Sequence, residues 1–335
     1  MKETLSTIAS RLGVSSSTVS RVLSGGAEKH RIPKATADRI IAEARHCHYR
    51  PSHTAKSLRT SKSYAIGLVI PAMSNPFFAD MASVVIRQAN LRGYTTIIID
   101  TMEAEENQKQ ALESLISREV EGIIVAPCGG ESYLEELAAA GLPVVLIDRY
   151  FENSSLPYVT TNNYKGGVIA TKTLLDFGHK DIACLQGVTS SMPNTMRVQG
   201  YLDQMKEAGL EDRVRVVGSE FSIQNGYLET RLLLSGERRP SALFALSNTI
   251  GLGAMKAIRE MNLRIPEDIS LISFDNNMYL DYMIPPVARV SQPLEDMARL
   301  ATKILFERME DSSQAASHIM LTPNLIPGGS VRAVK

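Results

Sequence analysis

The sequence predicts a small all-α helix-turn-helix module followed by an α/β core of two lobes, each a doubly wound parallel sheet. Three observations carry this expectation. The first 60 of the 335 residues hold 11 Lys/Arg against 4 Asp/Glu, and the remaining 275 hold 25 against 32, so a formal net charge of zero divides into a basic head and an acidic body. The head places apolar residues at helical spacing, which marks a folded module with a polyanion as its natural partner rather than a solvated tail. From Tyr64 onward, apolar runs of strand length alternate with amphipathic stretches, the pattern of parallel sheets buried on both faces.

In the head, Leu5, Ile8, Ala9 and Leu12 fall on one face of a helix that Thr4 can cap and Gly13 ends. Ser15 then caps a second short helix, SSTVSRVL, with Val19, Val22 and Leu23 inward and Ser16, Ser17, Ser20 and Arg21 outward. Two helices joined by a short Gly-containing turn form a helix-turn-helix. A third helix from Ala35 to Cys47 contributes Ile40, Ile41 and Ala44 to a core that neither partner could build alone. Short hydroxyls and an arginine on the second helix suit base edges and phosphates; a generic three-helix bundle is the plainer alternative. Pro51 then ends helical structure, and Ser52 to Thr60 reads as a linker.

Strands are expected at Ala65 to Ile70, Thr95 to Ile99, Gly122 to Ala126, Val144 to Ile147, Ile182 to Leu185, Val214 to Val217, Leu243 to Leu246 and Ile269 to Phe274. Helices are expected at Phe77 to Leu91, Asn107 to Arg118, Gly166 to Phe177 and Thr249 to Met261. Eight strands exceed one compact sheet of ordinary size, hence two lobes. The domain plan is 1–50 for the helical module, 51–61 for the linker and 62–335 for the core. Ligands of such sheets bind beyond the carboxyl ends of the strands, here between the lobes.

The segments LSTIASRLGVSSSTVSRVLSG and YRPSHTAKSLRTSKSYAIGLVIPAMSNPFF together resemble the LacI family of bacterial transcription regulators, over nearly the whole chain. The resemblance implies a core like the type I periplasmic binding proteins, with lobe one at about 62–161 and 292–320 and lobe two at about 162–291 and 321–335. It assigns base reading to Ser16, Ser17 and Arg21, and phosphate contacts to Thr4, Ser20 and Thr36. It makes Ser52 to Thr60 a hinge helix, with Leu58 wedged into a minor-groove step and Lys56 and Arg59 on the backbone, an exchange of unstacking for a bent site. Two departures stand out: the GGAEKHR stretch is about three residues longer than usual, and Pro33 replaces the usual Ser cap.

Polar and aromatic residues collect where a cleft would lie. Asp148 and Arg149 follow VVLI, Asn162 and Asn163 stand at the proposed lobe crossing, Arg197 opens the RVQGY helix, Ser247 and Asn248 follow ALFAL, and Asp275 follows LISF. They can hydrogen-bond hydroxyls, while Phe77, Phe78 and Phe221 offer faces for a ring. Each could equally be a cap or loop residue. The resemblance raises Asp148, Arg197, Phe221 and Asp275 to ligand contacts and favours a sugar or sugar derivative. At ALSN the family more often has Asn-Asp, so Ser247 and Asn248 depart from it.

Other classes find little support. A composition of 44% hydrophobic and 21% charged residues argues against wholesale disorder. No apolar run reaches membrane-spanning length and the N-terminus lacks a signal-peptide core, so a cytoplasmic location is expected. Cys47, Cys128 and Cys184 lack CxxC spacing, and neither a metal nor a cofactor is expected. P-loop, GxSxG and HExxH patterns are missing, so the chain is not expected to be an enzyme. Gly251-Leu-Gly253 lacks a third glycine, Lys256 standing in its place, and reads as close helix packing; the isolated His179 reads as structural. No heptad repeat follows PNLIPGGSVR, so the expectation is a homodimer on a near-palindromic operator, controlled by a small molecule in the cleft. A solute-binding receptor and a sugar-processing enzyme are the rivals. The first would call for a signal peptide and a chain starting near residue 62, and the second for turnover of a bound sugar.

Overall fold

The computed structural model describes residues 3–49 and 62–334, in two compact units divided between Ser63 and Tyr64. The first unit is three helices: α1 (Leu5–Leu12), α2 (Ser16–Leu23) and α3 (Lys34–His46). Ile8, Ala9, Val19, Val22, Ala37, Ile40 and Ala44 form its buried core, with Leu5, Leu12, Leu23 and Ile41 packed around them. Caps fix the helix starts as the side chains dictate. Thr4 Oγ1 accepts from the Thr7 backbone N–H and Ser15 Oγ from that of Thr18, while Gly13 takes the left-handed conformation that ends α1.

The second unit runs β1 (Ala65–Ile70), α4 (Pro76–Asn90), β2 (Thr95–Asp100), α5 (Glu105–Ser117), β3 (Ile123–Val125), α6 (Glu131–Ala139), β4 (Val144–Ile147), β5 (Tyr158–Thr161), α7 (Asn163–Asp176), β6 (Ile182–Leu185), α8 (Met192–Glu207), β7 (Arg215–Val217), α9 (Ile223–Ser235), β8 (Ala242–Ala245), α10 (Asn248–Glu260), β9 (Ser270–Phe274), β10 (Ala288–Ser291), α11 (Leu294–Glu310), β11 (His318–Leu321) and β12 (Asn324–Ile326). One sheet has the order β2-β1-β3-β4-β5-β11 and the other β7-β6-β8-β9-β10-β12. Every pairing is parallel except β10 with β12, in registers such as Gly67↔Ile97 and Leu185↔Ala245. Helices cover both faces of each sheet, which is why strands such as AIGLVI and VVLI are apolar almost throughout.

The chain passes between the lobes three times, near Asn162, at Gln292 and between β11 and β12. Among the described residues there are twelve strands rather than eight. The additional ones, β5 and β10 to β12, are three or four residues long and lie at these crossings. Arg197 does not open its helix: α8 begins five residues earlier, with Pro193 in its first turn. Gly251 and Gly253 serve packing, because a Cβ on Gly253 would stand 2.1 Å from the Ile223 carbonyl oxygen. His179 is buried, its ring nitrogens 2.9 Å from Ser241 Oγ and 3.1 Å from the Arg332 carbonyl.

Candidate functional site

The helical unit presents its polar residues on α2 and at the helix starts. Ser16, Ser17 and Arg21 are exposed, Ser20 is half-buried, and Arg21 has no ion pair among the described residues. Arg11, by contrast, is paired with Glu3 at 2.6 Å and Glu43 at 3.1 Å. Thr4 lies exposed at the start of α1, and Thr36 sits half-buried in the first turn of α3. Pro33 gives α3 no side-chain cap, and none of the three helices carries an acid in its first turn. Such N-termini offer free N–H groups and positive dipole ends to anions. Lys56, Leu58 and Arg59 lie outside the described residues.

In the second unit Phe77, Phe78, Asp148, Arg149, Arg197, Phe221, Ser247 and Asp275 line one cleft between the lobes. Sequence reasoning missed four further lining residues, Asn75, Ser191, Pro193 and Gln292. The lobes stand close, and the cavity measures about 20 Å³. Phe77 and Phe78 meet edge to face at the start of α4. Asp148 and Asp275 occupy the first positions after β4 and β9, at φ 62° and 72°, a left-handed conformation rare for residues with a Cβ.

The charged groups are buried and largely fixed by the protein. Arg197 lies over the Phe274 ring at 3.7 Å, donating from Nε to Asn163 Oδ1 at 2.8 Å and from Nη1 to the Leu246 carbonyl at 2.6 Å. Burial lowers its pKa, against the raising effect of Asp275 and Asp148. Arg149 forms a bidentate pair with Glu103, both contacts 2.7 Å, and lies over the rings of Phe78 and Phe221. Burial alone would lower its pKa; Glu103 holds it above the ordinary value. Asp275 accepts from Gln292 Nε2 at 2.7 Å and from the Asn248 backbone N–H at 3.2 Å. Asn162 and Ser247 are the helix caps here, whereas Asn163 and Asn248 make tertiary hydrogen bonds.

Three buried polar atoms of cleft-lining residues lack a protein partner: Asp148 Oδ1, Ser191 Oγ and Gln292 Oε1. Buried polar groups are rarely left unpaired, so these atoms carry hydrogen-bonding capacity that the protein itself does not use. Burial pushes the Asp148 carboxyl up to about 6, with Arg197 and Arg149 opposing and Asp275 and Glu103 reinforcing.

The sign of that shift gives a test. A carboxyl raised in the folded state binds its proton more tightly there, so stability falls as pH rises from about 4 to about 6 and the loss persists above. Asp148→Asn is therefore expected to be more stable than the parent chain at pH 7, by roughly 3 kcal/mol, the cost of ionising at neutral pH a carboxyl held at about 6 in the folded chain. Asparagine also tolerates the positive φ. Thermal melts across this range check it, and the difference should vanish below pH 4.

Comparison with known proteins places the chain. The profile of bacterial regulatory proteins of the lacI family matches residues 4–52, and that of the periplasmic binding protein-like domain matches 171–331. The ribose operon repressor of Haemophilus influenzae is 31% identical over 334 residues, covering 99% of each chain. The transcriptional repressor PurR of Pasteurella multocida is 31% identical over 335 residues, 98% of this chain and 99% of its own. Among solved structures, the lac repressor dimer bound to operator and the anti-inducer ONPF superposes with a TM-score of 0.88 at 22% identity, over 99% of this chain and 100% of that one, a likeness of fold. A putative ribose operon repressor from Burkholderia thailandensis gives 0.71 at 28% identity, over 79% of this chain and 99% of that one. With full-length relatives above 30% identity and the helical and two-lobed units in the same order, the chain belongs to the LacI family of bacterial regulatory proteins.

Proposed function

We propose that this protein is a DNA-binding transcriptional repressor. It acts as a homodimer on a near-palindromic operator in the cytoplasm, and a sugar or sugar derivative held between the lobes controls its affinity for DNA. The observation that carries the reading is the cleft itself. Asp148 and Arg149 from one lobe face Arg197 and Asp275 from the other, beside the phenylalanine rings and the unpartnered acceptors. Only a ligand touched from both lobes can bias their closure, and it acts through its differential affinity for the two states. Relatives at 30–31% identity named ribose operon repressors make D-ribose the first compound to test.

On the helical unit, Ser16, Ser17 and Arg21 are assigned to base edges, with Thr4, Ser20 and Thr36 on phosphates. Lys56, Leu58 and Arg59 are assigned to the hinge contact with DNA. The absence of P-loop, GxSxG and HExxH motifs supports a protein without catalytic activity. Among the described residues no helix is long and apolar enough to cross a membrane.

We assign part of the contact with the second subunit to lobe two. Ile284 is fully exposed, Met278 and Tyr282 nearby in the chain are largely so, and Ile284 lines a groove of about 740 Å³ with Ile223, Leu252, Met255 and Pro285, beside the charged Lys256, Arg259, Arg264 and Glu267. Exposed large apolar side chains rimmed by charged residues are the usual composition of a protein–protein contact. Ile284→Asp is expected to weaken the dimer by the lost burial of an isoleucine side chain, roughly 1.5–3 kcal/mol, and by the cost of desolvating a carboxylate at the contact. Sedimentation should then show monomer at concentrations where the parent chain is dimeric, with operator binding weakened in step.

The test of the whole reading is selection of bound sequences from random DNA, followed by titration of the best site with a panel of sugars and nucleobases. Enrichment of an inverted repeat and a change in affinity with a sugar are expected. No enrichment would overturn the DNA reading, a response confined to nucleobases would overturn the effector class, and turnover of a bound sugar would make the protein an enzyme.

A further inference from the structure

We propose that Asn248 is a ligand-independent latch that holds the two lobes closed across the cleft. Three buried carboxamides meet there: Asn75 at the start of α4 in lobe one, and Asn248 and Asn277 in lobe two. Asn248 Nδ2 donates to Asn75 Oδ1 at 3.2 Å and also to Asn277 Oδ1.

The direction of these bonds is forced by the neighbours. Asn75 Oδ1 already accepts from the Phe77 backbone N–H at 3.1 Å as the cap of α4, so oxygen must face that way. Asn248 Oδ1 accepts from the Thr249 backbone N–H at 2.6 Å, which leaves its NH₂ group to point across the cleft. The Asn248 main chain is pinned in turn by Asp275 Oδ2, which accepts from its N–H at 3.2 Å. Two acceptors, one on each lobe, therefore converge on a single amide donor that is fully buried. A carboxylate at this position has no proton to give and would face two carbonyl oxygens, so the residue type decides whether this bond between the lobes can form.

Other cross-lobe contacts share the load without supplying this bond. Arg149, fixed by Glu103, rests over the Phe221 ring at 5.6 Å, and Met192 at the start of α8 packs against the lobe-one cluster that contains Tyr150 and Leu156. The closed cleft, measuring about 20 Å³, is the result. The consequence for regulation is a standing bias: part of the closing free energy that a ligand would otherwise provide is already built in, so the ligand-free protein lies nearer the closed state.

The test is amide hydrogen exchange on the full chain without any ligand, so that its outcome does not depend on which compound the cleft accepts. Asn248→Asp keeps the oxygen that caps Thr249 and places a favourable acid at a helix start, so α10 should fold as before. It removes the donor, and one lost hydrogen bond with two acceptors left unpaired should shift the open–closed equilibrium roughly tenfold toward open. Exchange at Phe77 and at the amides flanking Asp148 should accelerate accordingly. Asn75→Asp retains the acceptor for both Phe77 and Asn248 and should leave exchange at the parent rate or slower. Unchanged exchange in Asn248→Asp, or equal acceleration in both variants, would overturn the latch. A loss of helix signal in Asn248→Asp is covered by Asn248→Ser, which also keeps a capping oxygen and whose shorter hydroxyl cannot span to Asn75; parent-like exchange in that variant overturns the proposal too.

Discussion

Operator affinity is expected to fall about 10³- to 10⁵-fold between 50 and 200 mM salt, the slope of a protein that neutralises roughly 6 to 10 phosphates. The cause lies in the division of charge along the chain, with 11 Lys/Arg against 4 Asp/Glu in the first 60 residues of a molecule that is neutral overall. None of the three helices of this unit carries an acid in its first turn, so the positive ends of their dipoles stay unopposed there. Binding isotherms at several salt concentrations measure the slope, and a flat response would exclude a phosphate-driven complex. Within the same series, Arg21→Ala should lose about 1–3 kcal/mol on the preferred site and relax the choice of one base per half-site. Arg11→Ala should act mainly through folding, because Arg11 is spent on Glu3 and Glu43. A uniform loss over all sequences for Arg21→Ala would reduce it to a phosphate contact.

The second large effect is expected at Arg197. Its guanidinium is held by Asn163, the Leu246 carbonyl and the Phe274 ring, with Nη1 and Nε committed to these protein acceptors. Arg197→Ala removes a charged hydrogen-bonding anchor, about 1.5–3 kcal/mol and so more than tenfold in effector affinity. It also strips Asp148 of its main opposing positive charge, which drives that carboxyl further up. The effector should then have no influence on operator affinity, while ligand-free DNA binding stays within a few fold. Calorimetry beside gel shifts separates the cases: parent-level effector affinity would place the site elsewhere, and lost DNA binding without effector would make Arg197 structural. Asp275→Ala should behave similarly through a different route, since it releases both Gln292 and the start of α10.

What the sequence made legible was governed by local chemistry. Thr4, Gly13 and Ser15 signal their caps within four residues of the groups they satisfy, so α1 and α2 could be placed almost to the residue. Wholly apolar runs such as VVLI and IACL, set between amphipathic helical stretches, read as buried parallel strands. The strands that escaped, YVTT, ARVS, HIML and NLI, are interrupted by polar or charged residues. Arg289 illustrates why: it is buried inside β10 only because Asp281, Asn276 and the Val287 carbonyl converge on it. The same applies in the cleft. Asp148, Arg197 and Asp275 stood out as charges beside strand ends or in a helix facing them, whereas Asn75 and Gln292 look like an ordinary cap and a loop residue. Their roles arise from juxtaposition, Gln292 at a lobe crossing beside a strand that was not recognised and Asn75 opposite an asparagine 173 positions later.

The three passages of the chain between the lobes also bear on how such a protein can be cut and recombined. The helical unit is one contiguous stretch, so a single breakpoint between the two units exchanges it whole for that of another relative. Neither lobe has this property, because β11 returns to the first sheet after the second has been built and β12 closes the second in turn. A lone proteolytic nick at any crossing leaves the lobes covalently tied by the other two. A gene fusion that swapped one lobe would need three breakpoints, one at each crossing. One crossover between the two units pairs any helical unit with any core, but the two lobes travel together and can be recombined with each other only by several coordinated exchanges.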